Sequence, residues 1–191
     1  MSESAKQETL KAGALAAAWW RHTCGPDAPD SSARARLRRC RNNVEAATEP
    51  VALLLARRLG AFAPGAHPND AERAIGLARV LACVRTEALE KPLRALGWRS
   101  FPGDRAEADA GAERPRLAET RFRRLLTVSR GEEQVVAFRR LIALMDEATN
   151  VSALANDFWY WGDHTKQRWA FDYYNARAAA PASTINPDTD E

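Results

Sequence analysis

Apolar positions along this chain recur at helical rather than strand spacing. Runs of alternating Val, Ile and Thr are nearly absent, while Ala, Leu, Arg and Glu dominate, and this pattern predicts an all-α protein of about eight helices. Residues 4–22 form the first expected helix, with Leu10, Ala14, Leu15, Ala18 and Trp19 as its stripe. Gly25, Pro26 and Pro29 end it, and Asp30 or Ser31 caps a second helix. There Ala33, Leu37, Cys40 and Val44 fall on one face. Pro50 opens a third helix at its first turn, and Asn69 or Asp70 caps the next. Beyond a short helical piece within 89–97, residues 115–177 repeat the pattern. Phe122, Leu125 and Leu126, then Val135, Phe138, Leu141, Ile142 and Met145, then Trp169, Tyr173 and Ala176 face inward. Ser129 and Glu132 match a capping box, and Arg168 and Asp172 are spaced as an i,i+4 pair.

Composition breaks the chain at residues 100–114, rich in Gly, Ala, Asp and Glu and without an apolar period. The expected organisation is an N-terminal helical half over 1–99, a flexible linker over 100–114, a C-terminal helical half over 115–177 and a disordered tail over 178–191.

Charge adds a second pattern. Of 28 basic residues all but four are arginine, and the net charge is +3. Arginine forks onto phosphate and carboxylate more specifically than lysine does. Two clusters stand out. Arg34, Arg36, Arg38, Arg39 and Arg41 lie in a stretch, 31–41, that holds no acid. Arg121, Arg123, Arg124, Arg130, Arg139 and Arg140 occupy the twenty residues 121–140. Helices that carry arginines beside a core-facing stripe suit an external anion, and spaced guanidiniums on a rigid surface suit a phosphate backbone. Two other readings fit the same residues: a scaffold whose arginines meet an acidic partner, and a helix-turn-helix regulator.

Other chemistry is weakly signalled. Cys24, Cys40 and Cys83 are an odd number without a CxxC pair, which suits a reduced, cytoplasmic compartment. His22 and Cys24 lack companions at metal-ligand spacing, so no metal and no cofactor is expected. No P-loop, GxSxG or GxGxxG motif occurs, and an enzyme is the least favoured class. No apolar stretch approaches a membrane span. The aromatics of 158–174 and one of Trp19 and Trp20 are expected in the core; the other tryptophan is free to cover an interface.

Four stretches, in order, carry a family resemblance: AAWWR at Ala17–Arg21; ARARLRRCR at Ala33–Arg41 with the following PVALLLARRLG; RFRRLL at Arg121–Leu126 running to FRRLIAL at Phe138–Leu144; and DFWYWGDHTKQRWAFDYY at Asp157–Tyr174. Together the chain resembles the CasB family, the small subunit of the type I-E CRISPR interference complex, Cascade. The resemblance implies a non-enzymatic helical subunit that sits as a pair of copies beside other Cascade subunits and crRNA. It implies contacts to the displaced, non-target single-stranded DNA that help hold the R-loop open. The arginines it matches are Arg34, Arg36, Arg38, Arg39, Arg41, Arg121, Arg123, Arg124, Arg139 and Arg140, with Arg130 in the same basic stretch. R-loop formation is near energetic balance, so modest backbone contacts can tip it.

Overall fold

A computed structural model describes residues 3–102 and 114–176, with side chains from Ala12 onward apart from Ser31. The Leu10 side chain and the tail 178–191 lie outside that description, as does most of the expected linker.

The described residues form ten helices: α1 (Glu3–Thr23), α2 (Ser31–Arg39), α3 (Asn43–Ala47), α4 (Pro50–Arg58), α5 (Asp70–Leu81), α6 (Pro92–Leu96), α7 (Glu119–Thr127), α8 (Glu132–Leu144), α9 (Val151–Trp159) and α10 (Asp163–Tyr173). The fold is all-α; among the described residues the one exception is a two-residue parallel pairing of β1 (Thr86–Glu87) with β2 (Ala148–Thr149).

One core takes residues from both sides of 100–114. α1 packs along α9, while α5 meets both α8 and α9. The α1–α9 approach explains why the expected α1 stripe is rotated. Ala12, Gly13, Ala16 and Ala17 are buried, while Ala14 and Ala18 are exposed and Leu15 is half-buried. Small residues on the inner face let the two backbones close. The Gly13 N–H donates to Asn156 Oδ1 at 2.8 Å, and a Cβ on Gly13 would lie 2.5 Å from the Ser152 carbonyl oxygen. Both Trp19 and Trp20 are core residues, against the expectation that one covers an interface. Each indole finds a backbone acceptor inside: Trp19 Nε1–H donates to Val51 O and Trp20 Nε1–H to Val84 O.

The expected second helix divides in two. Asn42 accepts from the Glu45 N–H and starts α3 in a new direction, so Ala46 is buried and Val44 is 78% exposed. Asp30 caps α2 by accepting from the Ser32 N–H, and Pro50 opens α4. Asn69 stands at the N-cap of α5 without a side-chain cap bond.

In the aromatic region Phe138, Trp161 and Trp169 pack on one another, and Phe122 stacks on Tyr173 with ring centroids 3.9 Å apart. Phe171 is an exposed exception, and Ala176 is exposed beyond the end of α10. Arg168 pairs with Asp157 of α9 instead of Asp172. Asp157 also accepts from Trp169 Nε1–H at 2.6 Å. Burial outweighs both partners and pushes the Asp157 carboxyl up to about 6.

Candidate nucleic-acid interface

The two arginine clusters are built differently. In α2 the side chains turn inward onto acids. The reason begins at the end of α8. Its last carbonyls are closed by two bonds, Asp146 N–H to Ala143 O and Glu147 N–H to Ile142 O, the pattern of a Schellman motif. Asp146 and Glu147 both take left-handed backbone, with φ of 55° and 61°. That turn brings Glu147 to α2. Its carboxylate accepts from Arg38 at 2.7 Å and from Arg34 at 3.4 Å, and its carbonyl accepts from the Arg85 and Thr86 N–H groups. Arg38 above all holds the Glu147 carboxyl below its usual range. Arg34 Nε–H also donates to Ala82 O.

The rest of the 34–41 cluster is similarly engaged. Arg36 pairs with Glu49 at 2.8 Å and with Asp30 at 3.4 Å. Arg41, 86% exposed, pairs with Glu45 four residues on. Arg39 donates to its own helix at Ala35 O. The acid-free run 31–41 therefore has its acids supplied from 30, 45, 49 and 147.

Arginines also close the C-terminus of α2, where carbonyls lack helical partners. Arg139 of α8 donates to Arg38 O at 2.7 Å, so the two clusters meet at that point. Arg79 of α5, 1% exposed, donates to Arg41 O at 2.7 Å and grips Glu132 with both terminal nitrogens, at 2.5 and 2.9 Å. Glu132 is thus an ion-pair partner and makes no capping box with Ser129. Glu133 fills that place, accepting from both the Ser129 N–H and its hydroxyl, while Gly131, at φ 101°, stands at the N-cap.

The α7–α8 cluster has a different character. Arg121 and Arg124 on α7 and Arg140 on α8 are exposed, and among the described residues no acid pairs with their guanidiniums. Arg123 is 73% exposed and bonded to Glu119 at 2.6 Å. That bond, with one from Tyr174, holds the Glu119 carboxyl low. Arg130 donates to Trp161 O at 2.7 Å and, with Arg73, lines a cavity of about 230 Å³. Burial, and then the charge of Arg73, holds the Arg130 guanidinium below the usual arginine range.

Sequence reasoning passed over Arg57 and Arg58, which close α4, are exposed and have no acid paired to them among the described residues. In the last turn of a helix such cations suit the dipole, so their spacing carries no separate signal of a ligand. It also passed over Arg94, Arg99, Arg114 and Arg116, which line a cavity of about 310 Å³. These are scattered over more than twenty residues, and only the fold gathers them. Cys24, Cys40 and Cys83 are free and buried, and burial pushes the Cys24 thiol up to about 12. Among the described residues no cluster of three His, Cys, Asp or Glu could hold a metal ion, and no helix is long and apolar enough to cross a membrane.

Comparison with known proteins agrees with this architecture. No curated protein gives a significant match. A chain in the crystal structure of E. coli Cascade bound to a PAM-containing double-stranded DNA target shares the fold, with a TM-score of 0.55 at 20% identity. The match covers 86% of this chain and 97% of that one. The family model for the CRISPR-associated protein Cse2 matches residues 33–174, a span that includes both arginine clusters and the aromatic region. Cse2 is another name for CasB, the family that the WYW…RWAFDYY pattern resembles, and it is non-catalytic. By that match over most of its length, the chain belongs to the CRISPR-associated Cse2 family.

Proposed function

We propose that this protein is the small subunit of a type I-E Cascade complex and holds the displaced, non-target DNA strand of the R-loop through exposed arginines. The observation that carries the reading is the set of exposed guanidiniums, Arg121, Arg124 and Arg140, that no acid among the described residues pairs with, in a family of Cascade proteins. An arginine already paired inside the molecule must break that bond to take a phosphate. An unpartnered one exchanges only water and counterions. Arg57 and Arg58 belong with this available set. Arg123, Arg130, Arg39 and Arg41 border it, each held by a single partner residue, while Arg34, Arg36, Arg38 and Arg139 chiefly hold the fold. The partners in this reading are the other Cascade subunits with crRNA, the displaced single-stranded DNA and a second copy of the chain, all in the cytoplasm. Guide pairing reads sequence, so a backbone-tracking surface suffices.

A salt titration of the full chain with a random single-stranded DNA tests this. Three to five engaged arginines predict a slope of log K on log salt of roughly −2 to −3.5. An affinity unchanged between about 50 and 200 mM salt would overturn the reading.

A further inference from the structure

The outward face of α4 and the turn after it form a second surface, on residues other than the α7–α8 arginines. α4 buries Ala52, Leu55 and Ala56 and leaves Leu53, Leu54, Arg57 and Arg58 exposed. Residues four apart stand one above another on a helix, so Leu53 neighbours Arg57 and Leu54 neighbours Arg58. Gly60, in left-handed backbone at φ 76°, ends this run. Its N–H donates to Arg57 O at 3.0 Å, and the Ala61 N–H donates to Ala56 O at 2.9 Å. Ala61 enters the core, and the Ala63 N–H closes the turn onto Gly60 O at 3.0 Å. Phe62 is therefore held between two anchored neighbours and turned outward, 57% exposed. The core takes most of the other described aromatics and leaves this ring out.

We propose that this face carries a stretch of single strand, with phosphates on Arg57 and Arg58, one base laid on the ring of Phe62, and Leu53 and Leu54 as an apolar bed beside it. A single strand presents charge and flat apolar faces together, and this surface offers a partner for each. A duplex keeps its bases stacked on one another and could not use the ring. Five side chains also fall far short of the ~20–30 residues that each side of a stable protein–protein interface supplies. The proposal rests on the strand-binding reading for its class of ligand and adds a base contact, which the arginines of α7 and α8 do not supply.

The test uses the full chain, a fluorescent dT12 oligonucleotide and an abasic strand of the same length, which keeps the phosphates and lacks the bases. Circular dichroism checks the fold of each variant. F62A should bind dT12 about tenfold more weakly, with an unchanged salt slope and an unchanged affinity for the abasic strand. F62W should retain dT12 binding, and dT12 should quench the emission of the new indole. R57Q/R58Q should make the salt slope shallower by roughly 1.4 on both strands. Wild-type affinity of F62A for dT12, equal losses on the two strands, or an unquenched indole in F62W overturns the base contact. An unchanged slope in R57Q/R58Q overturns the phosphate contact. If R121A/R124A/R140A still weakens binding in either case, the strand-binding reading survives without the α4 face. Failure of the wild-type chain to bind dT12 sinks both. Displacement of dT12 by an equal concentration of a mixed Glu/Leu oligopeptide overturns the ligand class in favour of an acidic protein.

Discussion

The arginines of α2 and those of α7 look alike in sequence, yet they carry charge to different places. In α2, Arg34 and Arg38 converge on Glu147, while Arg36 reaches Glu49 and Asp30. In α7, Arg121 and Arg124 project from an exposed face without an acid partner among the described residues. Charge density along a chain therefore overstates charge available to a ligand wherever the fold brings acids back from a distance. Arginine in the first setting fixes one helix against another; in the second it stays free to exchange counterions.

The largest expected effect strikes the support beneath both clusters. Arg79→Ala strips the buried guanidinium from Glu132 and from the carbonyls of Cys40 and Arg41. Glu132 is about half exposed and can turn to water, but the carbonyls of Cys40 and Arg41 lose their donor, so a urea titration should show a loss of about 1–3 kcal/mol. A loss below ~1 kcal/mol would mean that α2 and α8 are joined chiefly by apolar packing.

Next in size is the pair of matched sets. R121A/R124A/R140A should reduce the slope of log K on log salt for single-stranded DNA by roughly 2 and leave stability within ~0.5 kcal/mol. R34A/R38A should do the reverse, lowering the melting temperature with little change in slope. Equal loss of binding from both sets would abolish the distinction between them.

Glu147→Gln sharpens the distinction from the acid side. It removes the ion pairs of Arg34 and Arg38 but keeps a hydrogen-bonding side chain, so a destabilisation of about 1 kcal/mol is expected. Strand affinity should rise, because two guanidiniums are released. A fall in affinity would place Glu147 in positioning those arginines for the strand.

The smallest effect is a pH dependence. The Glu147 carboxyl is held low by Arg38, so the folded state keeps it ionised below the pH at which the unfolded chain takes up a proton. The stability it contributes is present above its ordinary pKa and is lost as pH falls through the folded value. Asp157 has the opposite sign. Raised to about 6 by burial, it favours the folded state toward acid and withdraws that contribution as pH rises from about 4 to 6. Asp157→Asn should therefore flatten the fall in stability over that window, whereas Glu147→Gln should narrow its difference from wild type below about pH 4.5. Thermal melts at stepped pH read both.

Much of the helical frame was legible because its signals are local. Pro50 at a first turn, Asp30 as a cap and the spacing of Val135, Phe138 and Ile142 need no distant partner to be read. The illegible parts depend on distance. Nothing near Glu147 announces that it faces Arg38, and nothing near Glu132 announces Arg79. Val44 keeps the period of Leu37 and Cys40, but Asn42 offers a better local cap and turns the chain away. At the candidate site, Arg121 and Arg124 were visible as charge and their lack of partners was not. Arg94, Arg99, Arg114 and Arg116 were not visible as a group at all, because only the docking of α6 against the end of α10 collects them.

The bond between Gly13 and Asn156 spans 143 positions of chain, and that separation sets a condition on synthesis. A ribosome adding about 5–20 residues each second takes roughly 7–30 s to travel from one to the other. Throughout that interval α1 has no α9 to lie against, and its tryptophan-bearing face has no finished core. A helix made well ahead of its partner is enclosed only when that partner arrives. Production of the folded subunit should accordingly respond to translation speed and to chaperones that shelter the nascent α1.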